Sequence, residues 1–269
     1  SDLVASGGGA LGIFARRYDP AGVPLGELNE VESQPPDTFT AISGGSETLV
    51  AWGTSGGILA RSFGAADSLG LTFSVANSGW EGNVRLAGAH RGSEYLLAWS
   101  TTQKGNYYTR VARITAAGVV SPMANVLATA KPHSVVNIVP TTSGYVLLLT
   151  SGAPSFNAYA IVFDEKGVPE TTMRRLLGSI VGHDLASVGG ELAIVAGRAA
   201  GVSALRPFDA KMAPLGSWVC LAAPPAPPPP DTGGIATVAG DGTGYAALAF
   251  TSAGATELYR TDRLGTGAP

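Results

Sequence analysis

The sequence predicts an all-β repeat protein, and three observations carry that prediction. Charged residues make up only 14% of the 269-residue chain, against roughly a quarter of an ordinary globular domain. Glycine is abundant, with 37 copies beside 18 prolines, while 45% of the residues are hydrophobic. A long amphipathic helix would need more Glu, Lys and Arg, whereas short apolar strands separated by turn formers need few charges. The third observation is that one apolar strand returns along the whole chain.

That strand reads "LVAS" at 3–6, "ETLVAW" at 47–52, "YLLAWS" at 95–100, "YVLLLTS" at 145–151, "ELAIVAG" at 191–197 and "YAALAFTS" at 245–252. Successive copies lie 46 to 54 residues apart. A second, alternating strand follows each copy: "IFARRY" (13–18), "ILARSF" (58–63), "RVARIT" (110–115), "AYAIVFD" (158–164), "SALRPFD" (203–209) and "ELYRTD" (257–262). It runs into a turn of the D-x-x-G or A-A-G kind, where glycine adopts positive φ without steric cost. A short strand comes next, as in "LTFSVAN" (71–77) and "MANVLATA" (123–130). Another precedes each apolar strand, as in "TFTAISGG" (38–45), "VRLAGAHRG" (84–92) and "VNIVPTTSG" (136–144).

Four short antiparallel strands in about 47 residues is the period of a propeller blade. One such unit cannot bury both of its faces, so its neighbours must cover them. Six copies of the second and third strands therefore predict a six-bladed β-propeller of four-stranded antiparallel blades, with residues 1–269 forming one domain. The chain starts at a second strand and stops after a third, as expected of a fragment of a longer protein. The proline-dense stretch 221–234, "LAAPPAPPPPDTGG", breaks the period. With φ fixed and donors missing, it predicts an extended, rigid loop between blades.

The pattern "YLLAW … ARI-x-x-x-G-V", with the turn "RYDPAGVPLG" from Arg17 to Gly26, resembles the repeats of secreted β-propellers of myxobacteria and related bacteria. The resemblance spans the chain through a degenerate repeat. It implies an exported, surface-associated propeller and assigns no functional residues.

Three catalytic-looking matches dissolve once placed on the repeat. "GGGALG" (7–12) has the spacing of a dinucleotide fingerprint, but the helix needed to receive a pyrophosphate is replaced by a strand. "GTSGG" (53–57) has the spacing of a nucleophile elbow, yet Ser55 falls in the same turn of the next unit. "GDGTG" (240–244) offers the single carboxylate of Asp241 where calcium wants several oxygens. Neither a cofactor nor a metal is expected. Cys220 is the one cysteine, so no disulfide forms within the chain, and it reads as a residue of a packed strand. The net charge of −3 argues against nucleic acid as a partner. No apolar run approaches the roughly 20 residues of a membrane-spanning helix.

Candidate binding residues come from the connections between fourth and first strands, which share one face of such a fold. These are 33–38, 77–83, 130–137, 181–186 and 229–234, contributing Asp37, Trp80, Glu81, His133, His183, Asp184 and Asp231. Polar groups with an aromatic are what a small-ligand site there requires. On the same face, the turn "STTQKGNYYTR" reads as longer than its counterparts and offers Asn106, Tyr107 and Tyr108. Tyrosine beside an amide suits carbohydrate or protein, stacking with its ring and hydrogen-bonding with its hydroxyl. The sequence thus predicts an exported or cell-surface binding and adhesion propeller contacting a surface protein or polysaccharide. Two alternatives stand beside it. One is a glycoside hydrolase or polysaccharide lyase using carboxylates such as Glu81, Asp184 and Asp231, and the other is a structural spacer within a larger surface protein.

Overall fold

The computed structural model describes residues 2–7, 12–19, 23–64, 67–77, 81–151, 156–198, 203–222, 236–240, 244–250 and 256–262. They divide into two compact units, Ser1–Ala130 and Lys131–Pro269. Every regular element among them is a strand.

The first unit holds three antiparallel sheets. The first has strands β1 (Asp2–Gly7), β2 (Ile13–Tyr18) and β3 (Asn29–Glu32) in sequence order. The second has β4 (Thr38–Ser43), β5 (Thr48–Thr54), β6 (Gly57–Phe63) and β7 (Phe73–Asn77), again in sequence order. The third repeats this meander with β8 (Glu81–Arg91), β9 (Glu94–Gln103), β10 (Asn106–Thr115) and β11 (Ala124–Thr129).

The second unit opens with β12 (His133–Thr141), β13 (Gly144–Ser151) and β14 (Phe156–Asp164). These continue through β15 (Arg174–Val188) into β16 (Glu191–Arg198), β17 (Ser203–Phe208) and β18 (Val219–Ala222), making one seven-stranded sheet. A last sheet holds β19 (Ala236–Gly240), β20 (Gly244–Phe250) and β21 (Thr256–Asp262). All six expected pairs of second and third strands are present, as β1–β2, β5–β6, β9–β10, β13–β14, β16–β17 and β20–β21.

The second strands read as unbroken apolar runs because both of their faces are covered. In β5 every residue from Thr48 to Gly53 is buried, and in β13 every residue from Gly144 to Leu149. Within the first unit, Ile42, Leu49, Ala51, Ile58, Ala60 and Val75 of the second sheet pack against Leu86, Tyr95, Leu97, Trp99, Ala112 and Ile114 of the third. Within the second, Val146, Leu148, Ala160 and Val162 pack against Leu185, Leu192, Ile194, Ala196 and Phe208. Burial of several aliphatic side chains per module, at about 1.5–3 kcal/mol each, outweighs any single polar contact in holding modules together.

The turn after each third strand is built the same way five times, closed by isolated bridges Tyr18–Pro24, Phe63–Leu69, Ile114–Val120, Phe163–Pro169 and Phe208–Pro214. An aspartate caps three of these turns, and Thr115 takes that place in a fourth, its Oγ1 accepting from the Val119 amide at 3.1 Å. Asp164 Oδ1 accepts from the Lys166 and Val168 amides at 2.9 and 2.8 Å, and Asp209 Oδ1 from those of Lys211 and Ala213 at 2.9 and 2.7 Å. The fourth position of the turn is left-handed and is glycine at Gly118 (φ 78°) and Gly167 (φ 73°). Asp67 (φ 58°) and Met212 (φ 63°) adopt the same conformation with side chains attached.

Arginine braces the same corner. The Nε groups of Arg16, Arg61 and Arg206 donate to the carbonyls of Gly26, Gly70 and Gly216 at 2.7, 2.7 and 2.8 Å. Arg61 also donates from Nη1 to the Val31 carbonyl at 3.2 Å, tying the second sheet to the outer strand of the first. The turn in the motif that carried the resemblance is thus a folding device.

Candidate functional site

Two polar clusters stand out from the apolar packing, one in each unit. The first lies at the tip of the β9–β10 hairpin. Lys104 and Gly105 form its two-residue turn with φ of 50° and 73°, both positive as the tight hairpin turn requires. The sequence reading placed a longer loop here, but it is the strands that are longer. From Tyr95, opposite Ile114, the strand runs eight residues to Gln103; from the corresponding Thr48, opposite Phe63, it runs six to Thr54. Two extra pairs carry this tip roughly 7 Å further along the strand direction than the β5–β6 tip.

Alternation then decides what the extension presents. Opposite residues share a face, so Trp99, Thr101 and Gln103 stand with Arg110, Tyr108 and Asn106. The lower part of that face is the buried apolar layer of Leu97, Trp99, Ala112 and Ile114. Towards the tip it turns polar. The Arg110 residue is only 7% exposed. Its Nε donates to Asn125 Oδ1 at 2.9 Å and its Nη2 to Gln103 Oε1 at 3.0 Å. The guanidinium carbon stands 4.9 Å from the centre of the Tyr108 ring, a cation–π contact. Burial lowers the guanidinium pKa from its ordinary value, with the Tyr108 hydroxyl pulling it back. Arginine nonetheless stays charged in proteins. Tyr107 points to the opposite face of the strand, and Asn106 is exposed at the turn.

The second cluster links three first strands of the second unit. Asn137 on β12 donates through Nδ2 to Asp184 Oδ1 at 2.8 Å and to the Leu185 carbonyl at 2.9 Å. Asp184, on β15, also accepts from the Leu185 amide at Oδ1 (2.8 Å) and from the Val238 amide of β19 at Oδ2 (3.2 Å). The side chain of Asp184 thereby fastens three adjacent modules.

The loop assignments of four candidates need correction. His183 and Asp184 lie inside β15, a 15-residue strand running from the fourth strand of one module into the first of the next. The segment "RRLLGSIVGHDLASV" has no proline and no turn dipeptide. Register shifts opposite Phe156–Tyr159 and at Ile180/Gly182 absorb the change of sheet that a loop would otherwise make. His133 begins β12 and is 5% exposed, its Nδ1 3.3 Å from the Lys131 carbonyl. Glu81 begins β8. Burial lowers the pKa of His133, partly offset by the Lys131 contact. It lowers that of His183 too, against a hydrogen bond to the Leu149 backbone and the charge of Asp184.

Asp37 is exposed just before β4. Trp80, Asp231, Asp241 and nearly all of the 221–234 segment lie outside the described residues; Cys220 lies on β18. Ser55 occupies the β5–β6 turn, as the repeat required.

Arg110, Gln103 and Asn125 were missed by reading the sequence. A signal for the first was available. Counting back four from the residue that closes each turn bridge gives Phe14, Leu59, Arg110, Tyr159 and Ala204. One module carries a cation where the other four carry uncharged residues.

No family model matches the chain, and no curated protein matches it. Solved structures do. A prolyl endopeptidase matches over 97% of this chain and 37% of its own, with TM-score 0.56 and 14% identity. A puromycin hydrolase matches over 97% and 43%, with TM-score 0.51 and 15% identity. The SapL1 lectin, solved with α-methyl fucoside, matches over 99% of this chain and 93% of its own, with TM-score 0.52 and 10% identity. The chain spans about two fifths of the length of the two hydrolases it matches. Together with the six repeated strand pairs, these likenesses show the fold class to be the six-bladed β-propeller built of antiparallel meanders.

Proposed function

We propose that this propeller is a carbohydrate-binding module, exported or carried at the cell surface, that contacts polysaccharide through the tip of the β9–β10 hairpin. The observation that supports this is the organised group of Tyr108, Arg110, Gln103 and Asn125, an aromatic ring and three polar side chains fixed by one another. A rigid ring with amide and guanidinium neighbours is suited to a sugar's apolar face and hydroxyls, and its ordering cost is met on folding. The lectin likeness is consistent in fold. The hydrolase alternative draws less support, because both Asp184 oxygens are occupied by Asn137 and backbone amides.

The test is a glycan array followed by titration calorimetry with the wild-type chain and Tyr108→Ala. Loss of stacking should weaken binding by about tenfold or more. Unchanged affinity in that variant would move the site elsewhere.

A further inference from the structure

We infer that the saccharide recognised at this tip is anionic, its carboxylate or sulfate paired with Arg110; the inference rests on the carbohydrate-binding reading above. The argument starts from charge. Arg110 is 93% removed from solvent, and the groups it touches are neutral: the Gln103 and Asn125 side-chain oxygens and the Tyr108 ring. No acidic side chain pairs with it among the described residues, whereas Arg113 on the same strand is paired with Glu94. A buried cation without an opposite charge is costly, and the usual remedy is a carboxylate in the fold. Among the described residues none is supplied. A guanidinium fork held in place by its Nε and one Nη still has N–H groups to offer, in the geometry that suits a planar carboxylate.

Independent observations point the same way. The hydroxyl of Thr101, directly opposite Tyr108, is buried with no hydrogen-bond partner. Buried polar groups are nearly always satisfied, so an unmet one beside a lone cation points to an absent partner. Lys104 adds a second positive charge at the turn, and the chain as a whole is acidic at −3.

The experiment uses the full chain and three probe sets: uronate oligosaccharides, sulfated oligosaccharides and neutral oligosaccharides of matched length. Two variants accompany the wild type, Arg110→Gln and Gln103→Glu. Gln103→Glu keeps the shape of the side chain and supplies the missing counter-charge. It should raise the melting temperature by about 2–4 °C while weakening anionic-saccharide binding by about tenfold or more. Its higher melting temperature also guards against confusing lost binding with lost folding, which Arg110→Gln alone could not. The expected result is binding of one or both anionic sets, weakened by salt and by either variant; which set binds separates carboxylate from sulfate recognition. Binding of neutral sugars that depends on Tyr108 but ignores Gln103→Glu would overturn the inference and leave the carbohydrate reading standing. Binding of no saccharide in any set would overturn both.

Discussion

Asp184→Asn is the sharpest test of whether the second cluster is a brace. The substitution preserves volume and removes one acceptor. Oδ1 serves Asn137 and the Leu185 amide, and Oδ2 serves the Val238 amide at 3.2 Å. With the oxygen left at the first position, the new NH2 faces the Val238 N–H, donor against donor. With the amide flipped, it faces both Asn137 Nδ2 and the Leu185 N–H. Either rotamer strands at least one donor in a half-buried setting, at about 1–3 kcal/mol. The surviving bonds also lose their charge assistance, so about 2–4 kcal/mol in total is the expected cost. Urea denaturation followed by tryptophan fluorescence measures it, and the double variant with Asn137→Ala gives the coupling. The two losses should fall short of additivity by about 1 kcal/mol, because one bond is counted twice. A loss below about 0.5 kcal/mol, the range of ordinary surface substitutions, would refute the brace. An unaltered fold with altered saccharide binding would reinstate Asp184 as a ligand group.

The remaining predictions concern a turn and a pair of imidazoles. Met212 is 1% exposed in the second unit's core yet holds φ at 63°, so it sets packing against backbone strain. Met212→Ala loses the side chain and keeps the strain, costing about 2–5 kcal/mol. Met212→Gly loses the same packing but relieves the left-handed strain, so by thermal melting it should be the more stable of the two by about 1 kcal/mol; the opposite order would remove strain from the account. Burial depresses the folded-state pKa of His133 and His183 below their unfolded value of 6.5. The unfolded chain then holds more protons below that value, so their contribution is complete above about pH 6.5 and is lost as pH falls towards the folded pKa values. Denaturation midpoints at pH 8 and pH 6 should differ in that direction. The difference should shrink in His133→Gln/His183→Gln; an undiminished difference assigns the effect to other groups.

The repeat was legible because stacking imposes it. "YLLAW" and "YVLLLTS" read alike since both faces of those strands are covered, and any polar residue there would cost more than the neighbouring strands could return. The D-x-x-G-x-P turns were legible for a different reason, as one aspartate oxygen and one left-handed position restrict the residues that fit. The strand change inside β15 was not legible. Gly178 and Gly182 look like loop signals, and only the pairing with β14 and β16 shows them as residues of a bulged but continuous strand. The role of Asp184 was hidden likewise: its partners Asn137 and Val238 lie 47 and 54 residues away in sequence. Composition and local spacing carry no trace of such a contact.

The hairpin tip was only half legible, and the missing half is the one with the stronger physical argument. Tyr107 and Tyr108 drew notice as aromatics in an unusual turn, but alternation puts them on opposite faces, and only Tyr108 stands with the guanidinium. Arg110 escaped because arginine on an alternating strand is ordinary, and Arg16, Arg61 and Arg206 on neighbouring modules serve as braces. Their register sets them apart. Those three stand two residues before the bridge that closes the turn, where a glycine carbonyl awaits them; Arg110 stands four before it, where Phe14, Leu59, Tyr159 and Ala204 stand in other modules. In a repeat fold each module inherits the same environment, so a residue that departs in kind from the same slot elsewhere must be stabilised by something the other modules lack. Gln103 and Asn125 supply part of that, through the two added strand pairs and the outer strand. They satisfy two N–H groups, while among the described residues no carboxylate balances the charge.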